Sequence, residues 1–204
     1  LHRLFFMKIY TFPRSRSLRV LWTLEELGVD YETVRVDMFS DKPKVKSPHS
    51  RGKVPLMVDG DVSIEETFAI CHYLCNKHPK ETFYPSDIKE QSVIYSYISF
   101  ALTDLESPIW NLLKQLVFIP EEKRSLSLVD YFKIESENVT RQFKLDKDNE
   151  WVAGDNFTLA DIFLSHTLLW ARLCHVNLSP TINDYIDRAI SRRSYIQAQE
   201  KNNL

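Results

Sequence analysis

The sequence has no Cys-x-x-Cys pair, no internal repeat, no low-complexity tract and no apolar run approaching the ~18 residues of a membrane-spanning helix. Each absence removes a class of protein. Three cysteines without paired spacing exclude a disulfide framework and point to a reducing compartment, so a cytoplasmic location is expected. The Asn-x-Thr sequons at Asn138 and Asn156 then carry little weight. Twenty-six basic residues against twenty-eight acidic ones leave a formal charge of −2, with no overall positive field to gather nucleic acid or an anionic membrane. Small molecules or proteins are the expected partners. What is present is 204 residues, 44% hydrophobic and 26% charged, enough for one large core or two small ones. The "LHRLFF" stretch ahead of Met7 is too short for a signal peptide and is read as an extension outside the fold.

The first eighty residues are organised differently from the rest. "KIYTF" (8–12) reads as a strand, and "SLRVLWTLEELG" (17–28) places Leu18, Leu21, Trp22, Leu24 and Leu27 at helical spacing with Gly28 as its stop. "YETVRV" (31–36) alternates as a strand does, so strand, helix and strand form a parallel pair with a right-handed crossover. A polar loop comes next, then a strand over 53–58, an Asp-Gly hairpin, "DVSI" (61–64) and a helix over 66–77 that must end before Pro79. The order βαβ-ββα is that of a thioredoxin-like domain.

Beyond Pro79 the strand signals vanish. From Ile88 onward the pattern is long, helical and rich in Leu, Ile, Tyr and Phe, broken by Pro108, Pro120 and Pro180. The fold class expected is therefore α+β: a thioredoxin-like domain over 7–80, a linker over 81–87 and an all-α helical bundle over 88–204. In "GDNFTLADIF", Thr158 can cap a helix, Asp161 can reach back to it, and Phe157 can pack on Ile162. That is a folding signal and carries no chemistry.

Pro55 sits in "GKVPLMVDG", inside the strand over 53–58, although it has no N–H for a sheet ladder. Such a proline marks an edge strand or a tight turn, with a trans or a cis bond, and leaves nearby backbone groups to bind something else.

Three segments, "YTFPRSRSLRVLWTLEELGVDYE", "GKVPLMVDGDVSIEETFAICHYL" and "WVAGDNFTLADI", in this order and spacing, resemble the cytosolic glutathione transferases, in particular the serine-type bacterial and fungal members. The resemblance spans nearly the whole chain. It implies a thioredoxin-like domain that binds glutathione as co-substrate, a helical domain that receives a small hydrophobic electrophile, and a homodimer. It requires no metal or tightly held cofactor. The residue matching Pro55 is cis in the family, and the backbone of the residue before it, here Val54, pairs with the cysteinyl part of glutathione, which is recognition by β-augmentation. Glu66 and Thr67 match the acidic and hydroxyl pair that meets the γ-glutamyl ammonium and carboxylate at a helix start, with threonine where serine is usual. Glu65 is a weaker rival for the acidic role. Lys53 matches a residue near the glycyl carboxylate.

Ser15 lies in the loop where the family's catalytic serine sits, and Ser17 is better placed to cap the helix. The tyrosine-type classes carry their hydroxyl at the end of the first strand, where this chain has Thr11. No cysteine occupies the loop, which argues against cysteine-dependent chemistry. Arg51 flanks the implied site and, like Lys53, could meet the glycyl carboxylate. Asp104 lies where some family members reach across a dimer, or is a plain surface acid. Cys71, Cys75 and His78 share one helical face but make a poor tetrahedral set without a partner elsewhere. Tyr97, Phe100, Trp110 and Trp170 are expected in the helical core, with one or two lining the electrophile pocket. The same site could serve glutathione-dependent reduction of peroxides or disulfides. A different class of reading is a non-catalytic binding or assembly module.

Overall fold

The computed structural model describes residues 7–146 and 148–203. The stretch ahead of Met7 lies outside the described residues. The chain forms two compact units: one holds the chain up to Lys80 and again from Ser191 onward, and the other is Glu81–Ile190.

The first unit is built on a four-stranded sheet of β1 (Lys8–Thr11), β2 (Glu32–Arg35), β3 (Leu56–Asp59) and β4 (Val62–Glu65), in the order β2-β1-β3-β4. β1 and β2 run parallel, joined by α1 (Ser17–Leu27), and β3 and β4 form an antiparallel hairpin on the other side of β1. After β4 comes α2 (Thr67–Lys77), which completes the βαβ-ββα order. Most of the apolar face of α1 is enclosed, with Leu18, Leu21, Trp22 and Leu24 buried together with Ile9, Met57, Ile70 and Leu74, while Leu27 is half-buried. Gly28 ends α1 at φ 69°, a left-handed conformation that a side chain would oppose. Its N–H reaches the Glu25 carbonyl at 3.3 Å and the Val29 N–H reaches that of Leu24 at 3.1 Å, which together close the helix as a Schellman motif.

The last helix, α8 (Arg193–Asn203), belongs to this first unit, not to a helical domain reaching 204. Polar latches fasten it there. Glu26 of α1 accepts hydrogen bonds from Arg192 at 2.7 and 2.9 Å and from the Ser194 hydroxyl. Lys201 reaches Glu25 at 2.7 Å, and the Trp22 and Tyr195 rings meet edge to face at 4.9 Å. Burial raises the Glu26 pKa, but the hydrogen bonds from Arg192 and Ser194 and the charges of Arg192 and Lys80 outweigh it and hold the carboxyl below its ordinary value.

The second unit is helical. It runs from α3 (Ile88–Phe100) through wider, π-type turns at Ala101–Leu105 into α4 (Glu106–Leu113) and a second π-type stretch at Lys114–Phe118, then a short 3-10 turn at Glu121–Lys123. α5 (Leu126–Gln142), α6 (Leu159–Leu173) and α7 (Pro180–Ile190) complete it. Pro108, expected to break the pattern, lies inside α4; the π-type turn just before it absorbs the missing N–H and the ring's bulk. Pro180 opens α7, where its fixed φ suits a first helical position. The segment 81–87 is exposed at Glu81, Thr82, Ser86 and Asp87 and anchored at its middle. Phe83, Tyr84 and Pro85 are buried, and the Phe83 carbonyl accepts from Leu159 N–H at 3.3 Å, because two aromatic rings drive the segment into this unit's core.

α6 starts as its sequence implies. Buried Asp161 accepts from Thr158 N–H at 2.8 Å, the Thr158 hydroxyl at 3.0 Å, Val152 N–H at 3.1 Å and the Tyr185 hydroxyl at 2.8 Å. Phe157 is buried, as is Ile162, and its ring contacts are with Phe83 and Trp151. Of the four aromatics expected in the helical core, Trp170 is buried against Trp110 and His166, while Tyr97 and Phe100 are half-buried beside Phe143.

Candidate functional site at one end of the sheet

Strand register gathers the chemistry. Tyr10 of β1 pairs with Leu56 of β3, and Leu56 pairs with Glu65 of β4. The end of β1, the start of β3 and the end of β4 therefore lie side by side at one end of the sheet. The loop carrying Ser15 leaves from the first, Val54 and Pro55 enter the second, and Glu66 and Thr67 leave from the third. The exits from β1 and β4 each feed a helix: α1 begins at Ser17 and α2 at Thr67, so two helix N-termini open on the same sheet end. Both carry partial positive charge and favour an anion there.

The Val54–Pro55 peptide bond is cis. β3 starts only at Leu56, so the strand expected over 53–58 is shorter by its first three residues; a proline, which has no N–H, cannot extend the ladder. Pro55 is buried, Val54 half-buried and Lys53 exposed, and the Lys53 carbonyl accepts from the Ser47 hydroxyl at 2.5 Å.

Glu66 stands just ahead of α2, which begins one residue later than expected, with φ 70° and ψ 128°. A non-glycine residue at positive φ is strained by roughly 1–3 kcal/mol, a feature that concentrates at ligand sites. Its side chain is exposed and its carboxylate pairs with the guanidinium of Arg51. Thr67, by contrast, is buried, at 6% exposure. Glu65 is engaged elsewhere. The Ser50 N–H at 2.5 Å and the Ser50 hydroxyl at 2.8 Å hold it and keep its carboxyl below the usual range. It thus fastens the preceding loop to β4.

Ser15 is half-buried, and its hydroxyl has two acceptors in reach, the Phe12 carbonyl at 2.6 Å and Ser17 Oγ at 2.9 Å. Its own oxygen accepts from Ser17 N–H at 3.2 Å, so Ser15, not Ser17, supplies a side-chain acceptor at the start of α1. Ser17 is the first helical residue and fully buried. Thr11 is also buried, and its hydroxyl donates to Asn202 Oδ1 at 2.5 Å. Of the three hydroxyls weighed for the thiol, Ser15 is the accessible one.

Some organising residues carry no pattern that marks them in the sequence. His49 is buried, and its Nδ1 accepts from Arg51 N–H at 3.0 Å, which holds Arg51's backbone. Gly52, at φ 63°, closes the same turn with its N–H on the His49 carbonyl at 2.8 Å. Only the Gly in "SPHSRGK" hints at that turn.

Cys71 and Cys75 are buried in α2, and burial pushes the Cys71 thiol up to about 12 and the Cys75 thiol higher still. Among the described residues no group of three or more His, Cys, Asp and Glu is arranged to hold a metal ion. Asp104 is exposed in the first π-type turn, accepts from the Thr103 hydroxyl at 2.7 Å and borders a groove of about 500 Å³ within the helical unit, shared with Pro108, Tyr131 and Phe132. Among the described residues no helix is long and apolar enough to cross a membrane.

The comparisons with known proteins agree with one another. A family model described as glutathione S-transferase, N-terminal domain, matches residues 9–82, and one described as glutathione S-transferase, C-terminal domain, matches residues 133–193. Glutathione S-transferase Z1 of Arabidopsis thaliana is 32% identical over 171 residues, covering 78% of this chain and 74% of that protein. A probable maleylacetoacetate isomerase of Caenorhabditis elegans is 29% identical over 201 residues, covering 95% and 93% of the two chains. Among solved structures, a glutathione transferase homologue from sulfitobacter with bound glutathione aligns with a TM-score of 0.81 at 20% identity, over 98% of this chain and 100% of that one, a likeness of fold. The chain belongs to the glutathione S-transferase family.

Proposed function

We propose that the protein activates the thiol of glutathione and delivers it to a small, hydrophobic electrophile. Glutathione's thiol, near 8.5 in water, is only about 3% ionised at pH 7, and the thiolate is the nucleophile. Ser15 would donate its hydroxyl proton in a hydrogen bond to the sulfur, leaving the Phe12 carbonyl for a stronger, charged acceptor. With the N-terminal dipole of α1, a lowering of about two pKa units corresponds to about 2.7 kcal/mol of preferential thiolate stabilisation. The sulfur then attacks carbon and a group such as halide leaves with its bonding electrons. Val54 would pair with the cysteinyl backbone, Pro55 would shape that strand entry, and Lys53 would meet the glycyl carboxylate. Glu66 and Thr67 would take the γ-glutamyl ammonium and carboxylate. The observation that carries this reading is the side-by-side register that puts all of them, with two helix N-termini, at one sheet end.

A second reading uses the same thiolate for isomerisation: addition to a conjugated double bond, rotation about the resulting single bond, and expulsion of the thiolate. It is favoured by the maleylacetoacetate isomerase relative, which aligns over nearly its whole length. As the family resemblance implies, the working protein would be a homodimer, with Asp104 a candidate to reach the γ-glutamyl ammonium of the other subunit. Its three cysteines are free thiols, which suits a cytoplasmic enzyme of detoxification.

The experiment is retention on immobilised glutathione, then conjugation of chlorodinitrobenzene, reduction of cumene hydroperoxide and isomerisation of maleylacetoacetate. Retention with conjugation that falls at least tenfold in Ser15→Ala supports the reading. Retention without turnover of any of the three substrates replaces it with a binding module.

A further inference from the structure

We infer that Arg51 and Glu66 form a two-handed clamp for the α-amino-acid head of glutathione, Glu66 taking its ammonium and Arg51 joining Thr67 on its α-carboxylate. This rests on the reading of the sheet end as a glutathione site and adds a specificity residue to it. The two side chains already meet as an ion pair. An α-amino acid head carries one positive and one negative charge on groups attached to one carbon, so it can enter between the two and satisfy both. One ion pair becomes two, and no charge is left without a partner.

The surroundings suit such an exchange. Both side chains are largely exposed, 54% for Arg51 and 69% for Glu66, so the resting pair is screened by water and contributes little to stability. Neither end drifts when it opens. The Arg51 backbone is held by the buried His49 ring at 3.0 Å, and Glu66 is fixed at the entry of α2. The obvious competitor is occupied: Glu65 is held by the Ser50 N–H and hydroxyl and lies 4.0 Å from the guanidinium. Freed from Glu66, Arg51 therefore presents its planar fork of donors to an incoming carboxylate, a geometry that lysine cannot reproduce.

Calorimetric titrations of the wild type, Arg51→Ala and Arg51→Lys test this with glutathione and with 4-aminobutanoyl-cysteinylglycine, which keeps the ammonium and lacks the α-carboxylate. Arg51→Ala should weaken glutathione binding about tenfold and change binding of the truncated peptide by less than about twofold, with Arg51→Lys in between. Arg51→Ala binding glutathione as tightly as the wild type, or losing both peptides equally, overturns the clamp and leaves the site reading in place. A wild type that binds no glutathione overturns the site reading and the clamp with it.

Discussion

The Thr11 hydroxyl, at the end of the first strand, donates to Asn202 Oδ1 in the last helix at 2.5 Å, although 191 residues separate them in sequence. Both residues are buried. The hydroxyl at the position where tyrosine-type members activate the thiol is thus committed to holding α8. Thr11→Val should destabilise the protein by about 1–2 kcal/mol, since it leaves a buried amide oxygen without its donor. It should leave conjugation within about threefold of wild type. Thermal melts beside a conjugation assay check both halves, and a large activity loss with little change in melting would move the catalytic role to Thr11.

Ser15 and Ser17 separate by the same logic. Ser17 is fully buried and Ser15 is not. Ser15→Ala should raise the pKa of bound glutathione, read from thiolate absorbance against pH, by about one to two units. Ser17→Ala should cost about 1 kcal/mol of stability and shift that titration by less than about half a unit.

Glu66 holds a positive φ that a glycine would adopt without strain. Glu66→Gly should leave stability unchanged or raise it by up to about 1 kcal/mol while weakening glutathione binding at least tenfold. Chemical denaturation and calorimetry read the two effects separately. A variant that loses stability and binds normally would show that the strain serves folding alone.

Glu26 makes stability depend on pH. Its carboxyl sits below the ordinary 4.5 in the folded protein, where burial is outweighed by Arg192 and Ser194. A depressed acid contributes stability that is fully present above the unfolded value and is lost as pH falls through the folded one. Glu26→Gln should therefore cost about 3 kcal/mol near neutral pH, with the gap to wild type shrinking below about pH 4.5. Melting temperatures of the two proteins from neutral pH downward test the convergence. A gap that stays constant with pH would assign the loss to packing.

Asp161 should be the costliest single polar position in the helical unit. Replacing it with alanine orphans the N–H groups of Thr158 and Val152 and the Tyr185 hydroxyl, all buried donors. A loss of about 3–5 kcal/mol is expected, without a change in the glutathione affinity of whatever protein remains folded. Denaturant titration and calorimetry provide the check.

Much of the fold is legible from local pattern. The alternation of 31–36, the helical spacing in 17–28 with its glycine stop, and the Thr158–Asp161 capping signal each depend on neighbours a few residues apart, so the chain states them directly. The elements of the first unit are readable to within a few residues, and so is the helical character of the chain beyond Ile88. The departures have a common cause. The last helix reads as part of the helical unit because its latches, Glu26 with Arg192 and Thr11 with Asn202, are polar pairs that leave no periodic trace. Residues 81–87 read as a linker because Pro, Ser and Asp mark loops, while burial of Phe83 and Tyr84 is a tertiary outcome.

Residue type and spacing settled that this is a βαβ-ββα unit followed by helices, and where a proline, an acid and a hydroxyl stand along it, because hydrophobic period and turn chemistry act over short range. Three-dimensional packing settled which of those residues meet. The cis bond before β3, the positive φ of Glu66, the burial of Thr11 and Ser17 that leaves Ser15 accessible, and the meeting of Arg51 with Glu66 all depend on strand register and long-range hydrogen bonds, whose partners the order of residues along a chain does not specify.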